Sequence, residues 1–244
     1  MRRILEKIYL KEERNPKIIG LFLPAYFITK ELHRNMSDLI PNLSGRLLDI
    51  GCGAKPYESV CNVDEYIGIE IDDEGRQNHT HADVLYDGKV MPFEDKSFDS
   101  ALSSEVLEHV FNPATLLKEV NRVMKMDGMF LITTPFFWEE HGQPYDYVGY
   151  TSFGLQHILD ENGFAVVEHI KSGNGVEVVF QTMSNYIFRS FKLKYPFNLI
   201  VFLLIFPINV IGLILSKILP KNDDMYLENI ILAKKVKDLR SKEQ

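Results

Sequence analysis

Glu105, Glu108 and His109 stand at positions i, i+3 and i+4, and a second histidine, His141, follows further along the chain. On a helix those three positions share one face, so a helix starting here would bring two carboxylates and an imidazole together. Such a set suits a divalent ion, with His141 as a fourth ligand: carboxylates favour magnesium or manganese, and imidazole admits zinc. Without an ion, Glu105 and Glu108 would cap the helix or face solvent, and His109 would pack. The run from Thr134 to Thr151 carries the other group of reactive side chains. Polar residues able to bind or deprotonate a hydroxyl alternate there with aromatic ones able to stack on a sugar or ring. It reads as an acceptor-site loop, or more simply as an aromatic loop over the next helix.

A ligand for this chemistry needs a cradle, and Leu47-Leu48-Asp49-Ile50-Gly51-Cys52-Gly53 reads as a buried strand ending in a glycine turn. Gly51 and Gly53 let backbone amides approach a bound molecule closely. A dinucleotide loop would place a third glycine where Pro56 stands, and Asp49 would repel a pyrophosphate while suiting a cationic amino-acid moiety. Tyr66-Ile67-Gly68-Ile69-Glu70 forms a second strand ending in an acid, at about the 20-residue spacing where a carboxylate receives ribose hydroxyls. His81-Ala82-Asp83-Val84 reads as a third short strand whose acid accepts from an adenine amine. Taken alone, the glycine loop is equally a plain strand-to-helix turn, and the two acids are solvated carboxylates.

Taken in order, these segments resemble the class I S-adenosylmethionine-dependent methyltransferases over roughly residues 45–170. The resemblance is carried by LLDIGCG (47–53), IGIE (67–70), AD (82–83), MPFEDKSFD (91–99), SSEVLEHV (103–110), EVNRVMKMDGMFLITTP (119–135) and GF (163–164). It implies that Asp49, Gly51, Cys52 and Gly53 cradle the methionine part, that Glu70 holds the ribose, that Asp83 and Val84 meet the adenine, and that Ser104 lies on the cofactor side. Met126-Asp127-Gly128 departs from the family's usual Pro-Gly-Gly, at a turn away from the chemistry. The Glu-x-x-Glu-His arrangement with a later histidine is similar to plant-type small-RNA 2'-O-methyltransferases and some quinone-pathway O-methyltransferases, although many relatives carry it without a metal. The segment His-x-x-Pro-Tyr-Asp-Tyr-x-x-Tyr-Thr, from His141 on, resembles methyltransferases of bacterial surface glycans. That likeness makes His141 the general base, with Asp146 orienting it and His109 beside it; a neutral histidine is matched to proton removal near pH 7.

The elements that must position these groups alternate, which implies a Rossmann-like α/β fold with a seven-stranded, mostly parallel sheet covered on both faces. Strands are expected near 46–50, 66–70, 80–83, 98–103, 128–134, 164–170 and 228–234, and helices near 26–40, 113–125 and 152–162. Asn112-Pro113 reads as a helix start and Asn162-Gly163 as a helix end. The expected organisation is a helical segment over 1–44, a methyltransferase domain over 45–174 and 225–236, and an apolar helical insertion over 175–224.

Composition fits an enzyme of one main domain: 244 residues, 45% hydrophobic and 25% charged, enough to bury a sizeable core. Cys52 and Cys61 show no metal-type pairing and read as free thiols in a reducing compartment. The chain begins Met1-Arg2-Arg3 and turns charged at once, so no signal-peptide core is expected. A net charge of -7 argues against nucleic acid as a partner.

From Tyr195 to Ser216 the chain carries no charge, with Lys192 and Lys194 before it and Lys217 and Lys221 after. By length it is a transmembrane candidate, but a single crossing would put the last strand on the wrong side of the bilayer. Pro207 near its middle predicts two short helices, 197–206 and 208–219, each only about 15 Å long. An interfacial hairpin over 195–219 fits, its lysines meeting anionic headgroups; a buried hairpin or a subunit interface is the competing reading. Ile18 to Ile28 is too short to span and is expected to join the same surface. The whole reads as an O-methyltransferase using S-adenosyl-L-methionine, with or without Mg2+ or another divalent ion, at the cytoplasmic face of the membrane. The expected acceptor is a sugar hydroxyl of a lipid-linked or surface glycan, the alternatives being a prenylated quinone precursor and a non-catalytic cofactor-binding protein.

Overall fold

A computed structural model describes residues 18–72, 80–191 and 198–239. The strands are β1 (Arg46–Ile50), β2 (Glu65–Ile71), β3 (Val84–Tyr86), β4 (Phe98–Ser104), β5 (Met124–Pro135), β6 (Phe164–Ser172) and β7 (Glu228–Lys235). They form one seven-stranded sheet in the order β3-β2-β1-β4-β5-β7-β6. The pairings of β1 with β2 and β4, of β2 with β3, and of β4 with β5 are all parallel. The helices are α1 (Tyr26–Leu39), α2 (Pro113–Val123), α3 (Ser152–Glu161), α4 (Gly175–Ser190) and α5 (Asn198–Ile218).

The chain divides into two units, one of residues 37–170 and 229–244 and one of residues 1–36 and 171–228. In the first, Leu48, Ile50, Ile69, Ala101, Phe130 and Ile132 of the sheet pack with Leu117, Val120, Leu155 and Leu159 of α2 and α3. A parallel sheet covered on both faces needs near-continuous apolar strands, and β1 and β4 have that character, with Leu47, Leu48, Ile50, Ala101 and Leu102 all buried. The strand order reverses at β1 and β4, which is where open α/β sheets bind ligands, outside the carboxyl ends of the strands.

Six of the seven expected strands have counterparts at the expected places, and three local readings are corrected. The third strand begins after Asp83, not before it. His81 N and Thr80 Oγ1 donate to the Gly53 carbonyl at 2.7 and 3.2 Å, so 80–81 are held on the glycine loop, and the chain first meets β2 at Asp83, whose N–H donates to the Gly68 carbonyl at 2.9 Å. β5 begins at Met124, and its pairing with β4 shifts between Phe98 and Ser100. The Met126-Asp127-Gly128 departure is therefore a bulge within the strand, with Asp127 at φ 66°. Asn112 precedes α2 without a side-chain cap bond, and Pro113 alone marks its start.

In the second unit α4 and α5 run antiparallel. Gly212 lies against Phe180, Ser184 Oγ meets Asn209 Oδ1 at 2.8 Å, and the Phe188 and Phe202 rings are 6.0 Å apart, so rising numbers on α4 meet falling ones on α5. The expected pair of short helices is corrected: α5 is one 21-residue helix with Pro207 inside it. Proline costs one backbone bond, to the carbonyl four residues back. Here it lies on the outward face, while Val201, Ile205, Asn209 and Gly212 hold the inward one. Asn209 Nδ2 also donates to the Leu21 and Leu23 carbonyls, both at 2.9 Å. Lys192 and Lys194 lie outside the described residues.

The glycine loop after β1 has two different constraints. Gly51 has φ 66°, and a Cβ there would stand 2.4 Å from Val106 Cγ2; Gly53 has φ 49°, but its Cβ would meet nothing within 4 Å. Gly51→Ala is expected to lower stability by roughly 2–4 kcal/mol from the left-handed backbone and the clash. Gly53→Ala should cost about 1 kcal/mol, from backbone alone. Urea unfolding of the two variants checks the difference.

Candidate active site

The carboxyl edge of the sheet gathers the expected residues from four connections. Beneath the glycine loop, Asp49 is buried and its Oδ2 accepts from the Tyr66 hydroxyl at 2.6 Å. Burial, with Glu70 nearby, pushes its carboxyl up to about 7 against the relief from Tyr66 and Lys55. Cys52 is a free, buried thiol pushed up to about 12, chiefly by burial, so it is a packing group under the loop; Cys61 is also free. Glu70, next to last in β2, is half-buried, its Oε2 accepting from Gly53 N at 3.2 Å, which couples the acid to the loop.

Asp83 Oδ2 accepts from Gly68 N at 2.7 Å and from Lys55 Nζ at 2.5 Å. Burial disfavours both charges, but their mutual hydrogen bond raises the Lys55 ammonium and lowers the Asp83 carboxyl. Lys55 was not legible as a site residue, since a lone lysine after a glycine loop carries no signal. Val84 opens β3.

After β4 the backbone forms a single 3-10 turn at Leu107–His109, with Glu105 at φ 55° before it. The shared helical face expected for Glu105, Glu108 and His109 is therefore corrected, because Glu105 turns away. Its Oε1 accepts from Thr133 Oγ1 at 2.8 Å, and the same hydroxyl lies 3.0 Å from Ser104 Oγ. Glu108, His109 and His141 do converge, with one ligating atom of each within 4.8 Å of the others. Glu108 Oε1 is 3.8 Å from His109 Nε2 and 4.0 Å from His141 Nε2.

Glu108 is fully buried, and among the described residues neither of its oxygens has a hydrogen-bond partner. Burial, then the Glu105 charge, pushes its carboxyl well up; burial raises Glu105 as well. His141 Nδ1 faces Asp146 Oδ2 at 3.2 Å and the Glu139 carbonyl at 3.3 Å. His109 Nδ1 lies 2.7 Å from the Tyr145 carbonyl. With acceptors on the Nδ1 side of both rings, the neutral tautomer assigned to each carries its proton on Nδ1 and turns a lone pair at Nε2 toward Glu108. Two lone pairs and a buried carboxylate facing one point call for a cation, a bound proton on Glu108, or a proton donor from a substrate.

Asp146 also accepts from the His141 backbone N–H at 2.8 Å, so one carboxylate fixes both the loop and the ring. Pro135, Trp138, His141, Asp146 and Tyr147 line a cleft beside this pair. Sequence reasoning gave no role to Thr134 or Tyr150, whose buried hydroxyls also lack hydrogen-bond partners among the described residues. Burial, then the Glu108 charge, pushes the Tyr150 phenol up to about 12, keeping it a donor at neutral pH. The available signal was polar residues ending an otherwise apolar buried strand.

A family model described as a methyltransferase domain matches residues 23–169. An uncharacterized methyltransferase of Mycolicibacterium vanbaalenii is 34% identical over 98 residues, covering 36% of this chain and 38% of its own length. The chain spans between 36% and 43% of the length of the first curated relatives it matches. Among solved structures, a SAM-dependent methyltransferase from Archaeoglobus fulgidus superposes with TM-score 0.53 at 22% identity, covering 83% of this chain and 92% of that one. The Haemonchus contortus phosphoethanolamine N-methyltransferase 2 in complex with phosphomonomethylethanolamine and S-adenosylhomocysteine gives 0.50 at 18% identity, covering 93% and 59%. At these identities the structures speak for the fold.

Proposed function

This chain belongs to the methyltransferase-domain family, and from that premise we propose that it moves a methyl group from S-adenosyl-L-methionine to a hydroxyl oxygen. The acceptor in this reading is a sugar hydroxyl of a lipid-linked or surface glycan. The observation that carries it is the His141–Asp146 pair, a carboxylate holding an imidazole at the edge of a cleft with aromatic walls. The cradle residues fit the donor: Gly53 presents open space, and Glu70 offers a carboxylate at the loop. When bound, the donor supplies an electrophilic methyl carbon, and its neutral thioether leaves.

Asp146 accepts a hydrogen bond from the Nδ1–H of His141 and thereby leaves Nε2 as the base. His141 Nε2 takes the hydroxyl proton as the oxygen–carbon bond forms and the sulfur–carbon bond breaks. Alignment supplies much of the rate, with the aromatic walls holding the sugar and the loop amides holding the donor. A prenylated quinone phenol would meet the same base and the same Trp138 and Tyr147 surfaces.

A second reading rests on Glu108. A buried carboxylate that faces two imidazole nitrogens is a donor set for a divalent ion, with Glu108, His109 and His141 as ligands and Glu105 apart. Bound there, an ion would polarise the acceptor hydroxyl.

Calorimetric titration with S-adenosylmethionine, with NAD as control and with and without magnesium, tests both readings. Binding of the first and not the second is expected, and Glu70→Ala should weaken it about tenfold or more by removing a charged acceptor. Heat on adding Mg2+ or Mn2+ that vanishes in Glu108→Gln would support the ion; the same heat in both proteins would sink it. No binding of S-adenosylmethionine would overturn the transferase reading.

A further inference from the structure

The second unit turns its apolar side outward. On α5 the inward face is Val201, Ile205, Asn209 and Gly212, whereas Ile200, Leu203, Leu204, Ile211, Ile214 and Ile218 are exposed, Leu203 at 62% and Ile218 at 70%. Those outward residues stand at helical spacings of three, four and seven positions and so form one stripe along the helix. Its partner α4 exposes Val179, Met183 and Tyr186 at the same spacing, the last at 69%. A face of this kind that no other described residue covers marks an interaction site.

Charge decides what meets it. Between Glu177 and Asp223 the sequence holds no acid but five bases, Arg189, Lys192, Lys194, Lys217 and Lys221, in a chain whose net charge is -7. Apolar stripes whose own segment, from Val178 to Asn222, carries only positive charge on an otherwise acidic chain are the complement of an anionic lipid surface. A second copy of the same face would instead bring positive against positive.

Geometry decides the depth. α5, at about 1.5 Å per residue, is long enough to cross a bilayer. Yet its start is joined to the end of α4, the two are antiparallel, and the far ends close on each other where Gly175 N donates to the Asn222 carbonyl at 3.3 Å. In chain order β6 leads into α4 and β7 follows α5, and both strands pair in one sheet, so the chain must return from the hairpin to the sheet it left, which a single crossing of a bilayer would forbid. The stripes run the full length of the helices and not only at their tip.

We propose that the α4–α5 hairpin is a monotopic membrane-docking element that lies in the interface of an anionic leaflet, its outward stripes in the acyl boundary and its basic residues at the headgroups. It stands apart from methyl transfer, because its test reads partition and not turnover.

The full-length protein is sedimented with phosphatidylcholine vesicles with and without phosphatidylglycerol. Binding at least about tenfold stronger to the anionic vesicles is expected, falling about tenfold or more in the double variant Leu203→Asp with Ile214→Asp. Both side chains are exposed, and circular dichroism checks that the variant folds. If it does not, Lys217→Glu with Lys221→Glu must abolish the preference for anionic vesicles. Equal binding by variants and wild type overturns the proposal, as does no binding to either vesicle. A dimer in solution that the aspartates disperse, without vesicle binding, also overturns it and assigns the face to a second copy.

Discussion

Replacing His141 with alanine is expected to lower turnover by roughly two to four orders of magnitude, the range a positioned base contributes, while S-adenosylmethionine affinity changes less than about threefold. The separation follows from where the residue stands. His141 lies in the connection after β5, whereas the cradle is built from the connections after β1 and β2. No hydrogen bond joins His141 to Asp49, Gly53 or Glu70 among the described residues. Asp146→Asn should cost less, lowering the rate about ten- to a hundredfold, since it leaves the imidazole in place but removes the charge that selects its tautomer. Burst experiments at saturating donor, followed by thioether release, read the two variants. A loss of donor affinity equal to the loss of rate would make His141 structural.

How far this site was legible depends on whether local sequence or distant packing sets each residue. β1 was readable because Leu47, Leu48 and Ile50 make the apolar run that a strand buried on both faces needs, with Asp49 as the exception that marks the site, and its glycine turn because only glycine tolerates Gly51's backbone beside Val106. The His141–Asp146 contact is local, five residues apart. Glu105 failed for a tertiary reason. The Thr133 hydroxyl on the neighbouring strand captures its carboxylate, and Glu105 adopts φ 55°, which breaks the helical spacing that placed it with Glu108. Thr134 and Tyr150 were invisible because a threonine in a strand and a tyrosine in a loop are ordinary until their hydroxyls prove buried without partners. Pro207 misled in the opposite direction. Its propensity argument was sound for an isolated helix, but packing of the inward face of α5 against Phe180, Ser184 and Phe27 outweighs one missing backbone bond.

The affinity for S-adenosylmethionine is expected to rise about tenfold per pH unit as pH increases toward 7 and to level off above it, and this slope is expected to disappear in Asp49→Asn. Asp49 titrates near 7 because burial penalises its charge, with Glu70 adding repulsion and Tyr66 and Lys55 relieving it. The unfolded carboxyl titrates near 3.8, so between the two values the folded state holds a proton that the unfolded state has lost. By linkage, stability therefore falls as pH rises through that window and is flat above it. The donor carries positive charge on its sulfonium and ammonium, and it favours the ionised form of a carboxylate beneath its cradle. Binding then lowers the Asp49 pKa, releases a proton below pH 7, and strengthens until the unliganded group is itself ionised. Removing the charge should weaken binding at pH 7.5 by about tenfold or more, the value of a hydrogen bond or close pairing to a charged group, while raising stability at that pH because an ionised buried acid is gone. Calorimetry between pH 5.5 and 8 in two buffers of different ionisation enthalpy counts the protons released. The same slope in Asp49→Asn would move the titration to another group, and a loss of stability in that variant would show that the Tyr66 hydrogen bond outweighs the burial of the charge.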